Sequence, residues 1–171
     1  MRKQKGFSLI ELLIVVAIIL VISAIAIPNL MRSRIAANEA SAVGSLRTIN
    51  SAQFTYAMTF PTTGFATSLF ILGPVSAGST AVTSANANLL DNVLGAASNG
   101  GASSAAPNAK SGYNFYITAS AGSAGSPTSF YQSNANPIST RTGTRYFYSD
   151  ASGVIHYNAS LTATSTDAPL Q

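Results

Sequence analysis

The chain has 171 residues and a formal net charge of +4, and only 8% of its residues are charged. It contains no cysteine, which excludes disulfides, thiolate metal sites and catalysis by a cysteine nucleophile. Its length suffices for one domain of ordinary size together with a long helix. Arg2, Lys3 and Lys5 lie at the extreme N-terminus, and the rest of the chain has six basic and five acidic residues. That near-neutral balance does not indicate a nucleic-acid-binding surface.

A long apolar segment follows this basic start. Phe7–Ile27 would span about 31 Å as a helix, close to the ~30 Å hydrocarbon core of a bilayer. Glu11 interrupts the segment, although an acidic residue in lipid costs roughly 2.5–3.5 kcal/mol. By the positive-inside rule, the basic start stays in the cytoplasm and everything after Ile27 lies outside.

The N-terminal motif consists of Gly6–Glu11, with the sequence GFSLIE, followed by the apolar helix and Pro28. This motif resembles the signal of type IV pilins and type II secretion pseudopilins. The resemblance implies that residues 1–6 are a leader, that a prepilin peptidase cuts between Gly6 and Phe7, and that the new Phe7 amine is methylated. It also implies that Glu11 pairs with the Phe7 amine of a neighbouring subunit, as a charge-assisted hydrogen bond in a low-dielectric setting.

Two simpler explanations account for less of this pattern. An ordinary secretory signal has a similar start, and Ala24-Ile25-Ala26 resembles its cleavage site, but its apolar core is usually ~7–15 residues long and does not need Glu11. A simple membrane anchor explains the length of the segment. It explains neither Glu11 nor the boundary between Gly6 and Phe7.

Pro28 should disturb a helix that otherwise continues. It lacks an N–H donor and collides with the carbonyl of Ala24, so we expect a kink or local unwinding between about Ser23 and Asn29. Residues 7–28 then form the transmembrane and assembly half of a long helix, and residues 29–58 form its amphipathic half.

The second half of this helix has two distinct faces. An apolar stripe at helical spacing should hold the globular domain. The opposite face is made of small residues, which let helix backbones approach closely, so we expect it to meet neighbouring helices in a filament core, with a solvated face as the alternative. Ala37, Ala40 and Gly44 are the centre of that face. The apolar stripe is Ile35, Ala42, Leu46, Ile49, Ala52 and Tyr56, and the small-residue face is Ser33, Ala37, Ala40, Gly44, Thr48, Ser51 and Thr55.

Residues 59–112 give weaker signals, and the resemblance implies a variable loop region there. Leu69–Pro74 is predicted to be a short apolar docking segment that ends at Gly-Pro. Asn88–Gly95 indicates a short helix capped by Asn86 or Asn88. Residues 96–111 indicate a polar loop.

The last third indicates a small antiparallel sheet over residues 113–160. Strands are predicted at Tyr113–Thr118 and Ser129–Gln132. A hairpin is predicted from Arg145 to Tyr157, because Asp150 and Gly153 occupy the first and fourth positions of a type I turn. Three or four strands packed on the apolar stripe give an α+β pilin fold. Residues 161–171 are predicted to be a polar tail.

Nothing in the sequence indicates catalysis or metal binding. His156 is the only histidine, and no Gly-x-Ser-x-Gly elbow supports a nucleophile. Asp91, Asp150 and Asp167 are far apart in sequence, so a calcium site is not expected. Asn158 begins an Asn-Ala-Ser glycosylation triplet, and we do not expect its use. We therefore expect a protein that is not an enzyme and has no cofactor or metal.

The resemblance implies a structural subunit, the major pilin of a type IV pilus-like filament. Such a subunit is a bacterial inner-membrane precursor that meets prepilin peptidase and the assembly machinery and then becomes a helical homopolymer at the cell surface. One alternative is a pseudopilin of a type II secretion system. Another is a minor pilin that binds DNA or a surface, for which a patch around Arg141, Arg145 and Lys110 would be needed.

Overall fold

The computed structural model describes residues 6–74, 81–95, 108–119 and 126–170. The chain divides into two compact units, residues 1–34 and residues 35–171, which we call the N-terminal unit and the folded domain. The elements in chain order are α1 (Leu9–Thr59), α2 (Leu69–Leu72), β1 (Asn108–Lys110), β2 (Tyr113–Ala119), β3 (Tyr131–Pro137), β4 (Tyr146–Asp150), β5 (Ile155–Asn158) and β6 (Ala168–Pro169). The long helix and the antiparallel sheet confirm the predicted α+β, pilin-like fold.

The first part of α1 is helical through Pro28. Residues 23–29 keep helical conformation, so the local unwinding offered as one expectation is not present in this single subunit. A proline removes one hydrogen bond but holds φ near its helical value, and intact turns on both sides maintain the helix. By length and composition, α1 is the one helix in the described parts of the chain that could cross a membrane.

The apolar stripe of α1 forms one side of the core of the folded domain. Leu46, Ile49 and Tyr56 are fully buried, and Ala42 and Ala52 are buried beside them. They pack in one cluster with the inward side chains of β2, which are Tyr113, Phe115 and Ile117. The stripe predicted from helical spacing is therefore confirmed from Ala42 to Tyr56, whereas Ile35, its first predicted member, is only half-buried and lies outside the core cluster.

The sheet is antiparallel throughout, with its six strands in sequential order. The predicted hairpin is confirmed: Ser149 pairs with Ile155, and Gly153 has a φ of +74°. The Gly153 N–H donates to the Asp150 carbonyl at 3.0 Å, and the Asp150 carboxylate accepts from the Ser152 N–H at 2.8 Å. Glycine is needed here because other residues rarely adopt that positive φ.

The sheet extends further than the sequence predicts. The second predicted strand, Ser129–Gln132, is misplaced, because β3 begins at Tyr131 and continues to Pro137. Gln132, Asn134 and Asn136 face outward, while Tyr131, Ser133 and Ala135 are buried. Because two of these inward residues are small and one of the two is polar, the sequence does not show the apolar–polar alternation typical of a strand. β1 and β6 also lie outside the predicted boundaries of the sheet.

The predicted C-terminal tail is part of this sheet. β6 pairs with β5, and the Leu170 N–H donates to the Ile155 carbonyl at 2.7 Å. Ala163 is buried, and Leu170 packs against the core. Backbone pairing and these two apolar contacts order a segment whose composition is polar.

The region between α1 and the sheet docks on the core through α2. Leu69 and Leu72 are buried, as expected of a docking segment. The short helix expected at Asn88–Gly95 is wrong: Asn88 has a φ of +53°, and only one turn follows it, closed from the Gly95 N–H to the Asp91 carbonyl at 2.9 Å. Asp91 caps that turn through the N–H groups of Val93 and Leu94. Most of the loop predicted at residues 96–111 lies outside the described residues.

Buried amides attach α1 to the rest of the folded domain. The Gln53 side chain accepts from the Ala66 N–H at 2.8 Å and donates to the Ala66 carbonyl at 2.9 Å. Asn50 donates to the Ser149 hydroxyl at 2.7 Å and accepts from the Tyr131 hydroxyl at 3.2 Å. Burial, with the Asp150 charge, raises the pKa of Tyr131 to about 12, so its hydroxyl stays protonated and can donate.

Candidate processing and assembly site

The Gly6–Phe7 bond lies in an exposed, non-helical segment. α1 begins at Leu9, and Phe7 exposes 78% of its surface. A Cβ added to Gly6 would have no atom within 4 Å, so packing in the subunit does not require glycine there. Proteolysis favours exposed bonds outside regular secondary structure, and this bond is one of them. Residues 1–5 of the predicted leader lie outside the described residues.

Glu11 caps the start of α1. Its Oε2 accepts a hydrogen bond from the Ser8 N–H at 2.9 Å, which satisfies one of the donors that a helix N-terminus leaves free. Ser8 and Glu11 have the Ser-x-x-Glu spacing of a capping box, so the sequence itself carries the signal for this contact. In this subunit Glu11 therefore has a polar partner on its own helix.

The helix that follows exposes apolar side chains around its whole circumference. Every large apolar residue from Leu9 to Met31 exposes between 44% and 79% of its surface. Such a helix cannot remain in water without a partner, so it requires either a bilayer or other helices. Its length and composition fit the bilayer.

The small-residue face of α1 lies on the surface of the folded domain. Ala37, Ala40 and Gly44 are all exposed, as are the other members of that face. A Cβ at Gly44 would meet no atom within 4 Å. The face is therefore open to solvent, and no contact within the described residues accounts for its small side chains.

Comparison with known proteins agrees with the geometry of the N-terminus. A family model described as a prokaryotic N-terminal methylation motif matches residues 1–27. The type IV wide pilus major component PilA4 of Thermus thermophilus is 59% identical over 39 residues, which are 23% of this chain and 30% of that relative. The matched motif and this similarity support a type IV pilin-family assignment. No solved structure matches this chain.

The pilin family is structural rather than enzymatic, and the match to PilA4 is confined to a minority of each chain. The chain spans 30% of the length of the relative it matches. The fold and the N-terminal motif together support a membrane-anchored precursor of a pilus subunit.

The sequence interpretation missed Glu39, a buried carboxylate that joins α1 to the β3–β4 loop. Glu39 is 5% exposed, and its Oε2 accepts from Arg145 Nε at 2.7 Å. Its Oε1 accepts from the Thr144 N–H, the Thr144 hydroxyl and the Arg145 N–H at 3.0, 2.9 and 3.2 Å. Burial raises the pKa of Glu39, but the hydrogen bonds from Thr144 and Arg145 outweigh it and hold the pKa below its ordinary value of 4.5.

Glu39 could have been found from the spacing of the apolar stripe. Residues 39, 42, 46, 49, 53 and 56 follow steps of three and four. Glu39 and Gln53 therefore occupy positions of the buried face. A polar residue at such a position needs a hydrogen-bonding partner inside the domain.

The remaining candidate residues have structural partners. His156 Nδ1 lies 2.7 Å from the Asp167 carbonyl oxygen, which places the histidine on β5 as expected. The Asn158 side chain donates to Asp167 at 2.8 Å and accepts from the N–H groups of Ser160 and Leu161, so the amide that glycosylation requires is occupied. Within the described ranges, no three His, Cys, Asp or Glu side chains are grouped as a metal site requires.

Proposed function

We propose that this chain is the major pilin of a type IV pilus-like surface filament. The observation that carries the proposal is a single acidic residue, Glu11, near the start of a fully exposed apolar helix, directly after an accessible Gly6–Phe7 bond. A membrane anchor needs only the apolar helix. The acid and the adjacent bond need a further explanation, and assembly after cleavage supplies it.

Cleavage between Gly6 and Phe7 would change the chemistry of this end of α1. It leaves a cationic amine on Phe7, four residues before Glu11. In a filament, the Phe7 amine of one subunit would pair with the Glu11 carboxylate of a neighbour, away from water. Because the Ser8 N–H uses only one lone pair of Oε2, the carboxylate keeps Oε1 and its remaining lone pairs for that amine.

Two further features suit α1 to a filament core. Pro28 removes a hydrogen bond in mid-helix, so residues 23–29 can unwind at lower cost when subunits pack. Ala37, Ala40 and Gly44 leave open space where a neighbouring helix can approach. The helix would thus exchange contact with lipid for contact with other copies of itself.

The two alternatives are less well supported. A pseudopilin of a type II secretion system shares the N-terminal features and differs in where the filament is found. A DNA-binding minor pilin would need free cations, but Lys110 pairs with Asp91 at 2.6 Å and Arg145 pairs with Glu39 at 2.7 Å. In that group of three, only Arg141 lacks an ion-pair partner within the described residues.

Fractionation of host cells tests the filament proposal. Shearing should release the mature chain as an abundant component of the surface material, and electron microscopy should show filaments that an antibody to the folded domain decorates. A chain that is processed but stays in the cell envelope would support the pseudopilin instead.

Substitutions at Gly44 test the small-residue face in the same preparation. Gly44→Leu should leave the folded domain stable, because the added side chain meets open space, yet should reduce sheared filament at least about tenfold by keeping helices apart. Gly44→Ala is the matched control. It adds one methyl group, should raise helix stability by up to about 1 kcal/mol and should keep assembly. Normal filaments from Gly44→Leu would refute close packing at this face.

A further inference from the structure

The outward face of the sheet carries rows of amide and aromatic side chains. The inward positions of β2–β4 are buried residues such as Phe115, Ala135 and Phe147, so their neighbours face away from the core. Cross-strand register places Tyr116 beside Asn134, Asn134 beside Tyr148, and Tyr148 beside His156. In a second row, Asn114 lies beside Asn136 and Tyr146 lies beside Asn158.

The C-terminal segment, residues 159–167, covers one half of this face. Tyr148 is only 5% exposed although it faces outward. Asn134 donates to the Ala163 carbonyl at 3.1 Å, and Asn158 donates to Asp167 at 2.8 Å. These side chains are therefore occupied in holding the segment.

The other half is polar but uncommitted. Asn114, Tyr116 and Tyr146 are half-buried, and their side chains make no hydrogen bond within the described residues. Asn136 lies beside Asn114, and its side-chain oxygen, which has no donor in the same described ranges, is buried from solvent. The half-exposed amide of Asn114 and the phenols of Tyr116 and Tyr146 are therefore available to hydrogen-bond an external molecule.

Charge restricts what that molecule can be. Lys110 and Arg145 are held by Asp91 and Glu39. No lysine or arginine occupies an outward position of β2–β5, so the face lacks the cations that phosphate or sulfate groups require. Asp150, a carboxylate at the edge of the face, already accepts from Tyr148 and Ser152. The complementary ligand is polar and uncharged.

We propose that the outward face of β2, β3 and β4 binds an uncharged oligosaccharide. Amides both donate and accept, as the neighbouring hydroxyls of a sugar require. Tyrosine rings offer an apolar surface to the C–H face of a pyranose together with a polar tip. Facing side chains lie ~5 Å apart across strands and about 7 Å apart along a strand, which suits two or three sugar units.

A groove at the end of the face would continue this site. It has a volume of about 380 Å³ and extends from Tyr146 between the β3–β4 loop and the end of β5. Ser139 and Thr140 line it, together with Thr144 and Ser160, whose hydroxyls already donate to Glu39 and Asn158. The hydroxyls of Ser139 and Thr140 and the ring of Tyr146 provide the same uncharged chemistry as the strand face. The proposal concerns the sheet of the subunit and does not depend on the filament proposed above.

An oligosaccharide array tests the proposal. The full-length chain, solubilised in a detergent without a sugar headgroup, should bind a subset of neutral oligosaccharides, with binding insensitive to salt. Tyr146→Ala and Asn114→Ala should each weaken binding about tenfold, through loss of a stacking or an amide contact. Asn92→Ala, an exposed asparagine outside the sheet, is the matched control and should change binding less than twofold. Near-ultraviolet circular dichroism should show that each variant is folded.

Three results would overturn the proposal. One is no binding to any neutral oligosaccharide on the array. Another is binding confined to sulfated or sialylated oligosaccharides and lost at high salt, which would indicate an ionic site elsewhere. The third is an equal loss in the folded Tyr146→Ala and Asn92→Ala variants.

Discussion

Replacing Glu39 by alanine is expected to lower the free energy of unfolding of the folded domain by about 3 kcal/mol. The substitution removes the carboxylate that accepts four hydrogen bonds. The backbone N–H groups of Thr144 and Arg145 then lose this acceptor. Breaking a buried ion pair usually costs about 3–5 kcal/mol, and the low end applies because the Arg145 side chain is 40% exposed. Urea unfolding of the full-length chain, followed by tyrosine circular dichroism, measures the change.

The control is an ion pair of similar length at the surface. Lys110 and Asp91 lie 2.6 Å apart with side chains 30% and 49% exposed, so Lys110→Ala should cost less than about 1 kcal/mol. If Glu39→Ala and Lys110→Ala lower the free energy of unfolding equally, the Glu39 contact with the β3–β4 loop does not stabilise the domain as we expect.

The same carboxylate should contribute to acid sensitivity. The pKa of Glu39 is lowered in the folded state, so its contribution is fully present above its ordinary pKa of 4.5 and is lost as the pH falls through the lower folded value. The wild-type chain should therefore lose stability more steeply below about pH 4.5 than Glu39→Gln does. Asp91 and Asp150 also have lowered pKa values, so some slope should remain in the variant.

Substitution of Glu11 is expected to abolish filament assembly without preventing membrane insertion. A charge-assisted hydrogen bond contributes about 1.5–3 kcal/mol. Its loss lowers the association constant of each subunit contact by roughly 10- to 100-fold. The loss recurs at every subunit, so sheared filament should fall below detection. Insertion should persist, because removing an acid from an apolar helix lowers the cost of burying it in lipid.

Two variants separate the pairing role of Glu11 from its capping role. Glu11→Gln keeps an oxygen that can accept from the Ser8 N–H, as Oε2 does at 2.9 Å, but has no charge. Glu11→Ala loses both functions. If pairing with the Phe7 amine drives assembly, both variants fail to assemble. Filaments from Glu11→Gln, with none from Glu11→Ala, would show that capping is sufficient and would contradict the pairing model. The amount of each variant in the membrane fraction is the internal control.

Features with a strong local signal could be predicted from the sequence. Helical spacing identified the buried stripe from Ala42 to Tyr56, and the Asp150–Gly153 turn identified the hairpin. Both signals depend on neighbouring residues alone. The strands that were missed depend on distant partners: β1 has three residues, and β6 has two. Only pairing with β2 and β5 makes these segments strands.

The residues of the candidate site also differ in whether their sequence signal is local or depends on distant partners. Gly6, Phe7 and Glu11 form a compact motif, so their proximity follows from the order of residues alone. Glu39 was missed because its partners, Thr144 and Arg145, lie more than one hundred residues later. The outward face of the sheet was missed because its register depends on β3, whose boundaries the sequence misplaced.

Intact-mass and N-terminal mass spectrometry of the protein from sheared host surface material tests whether the chain is cleaved before Phe7, methylated and assembled at the surface. We expect a chain that begins at Phe7, lacks residues 1–6 and carries a methylated amine. An intact Met1, or an N-terminus created after Ala26 by ordinary signal peptidase, would contradict it.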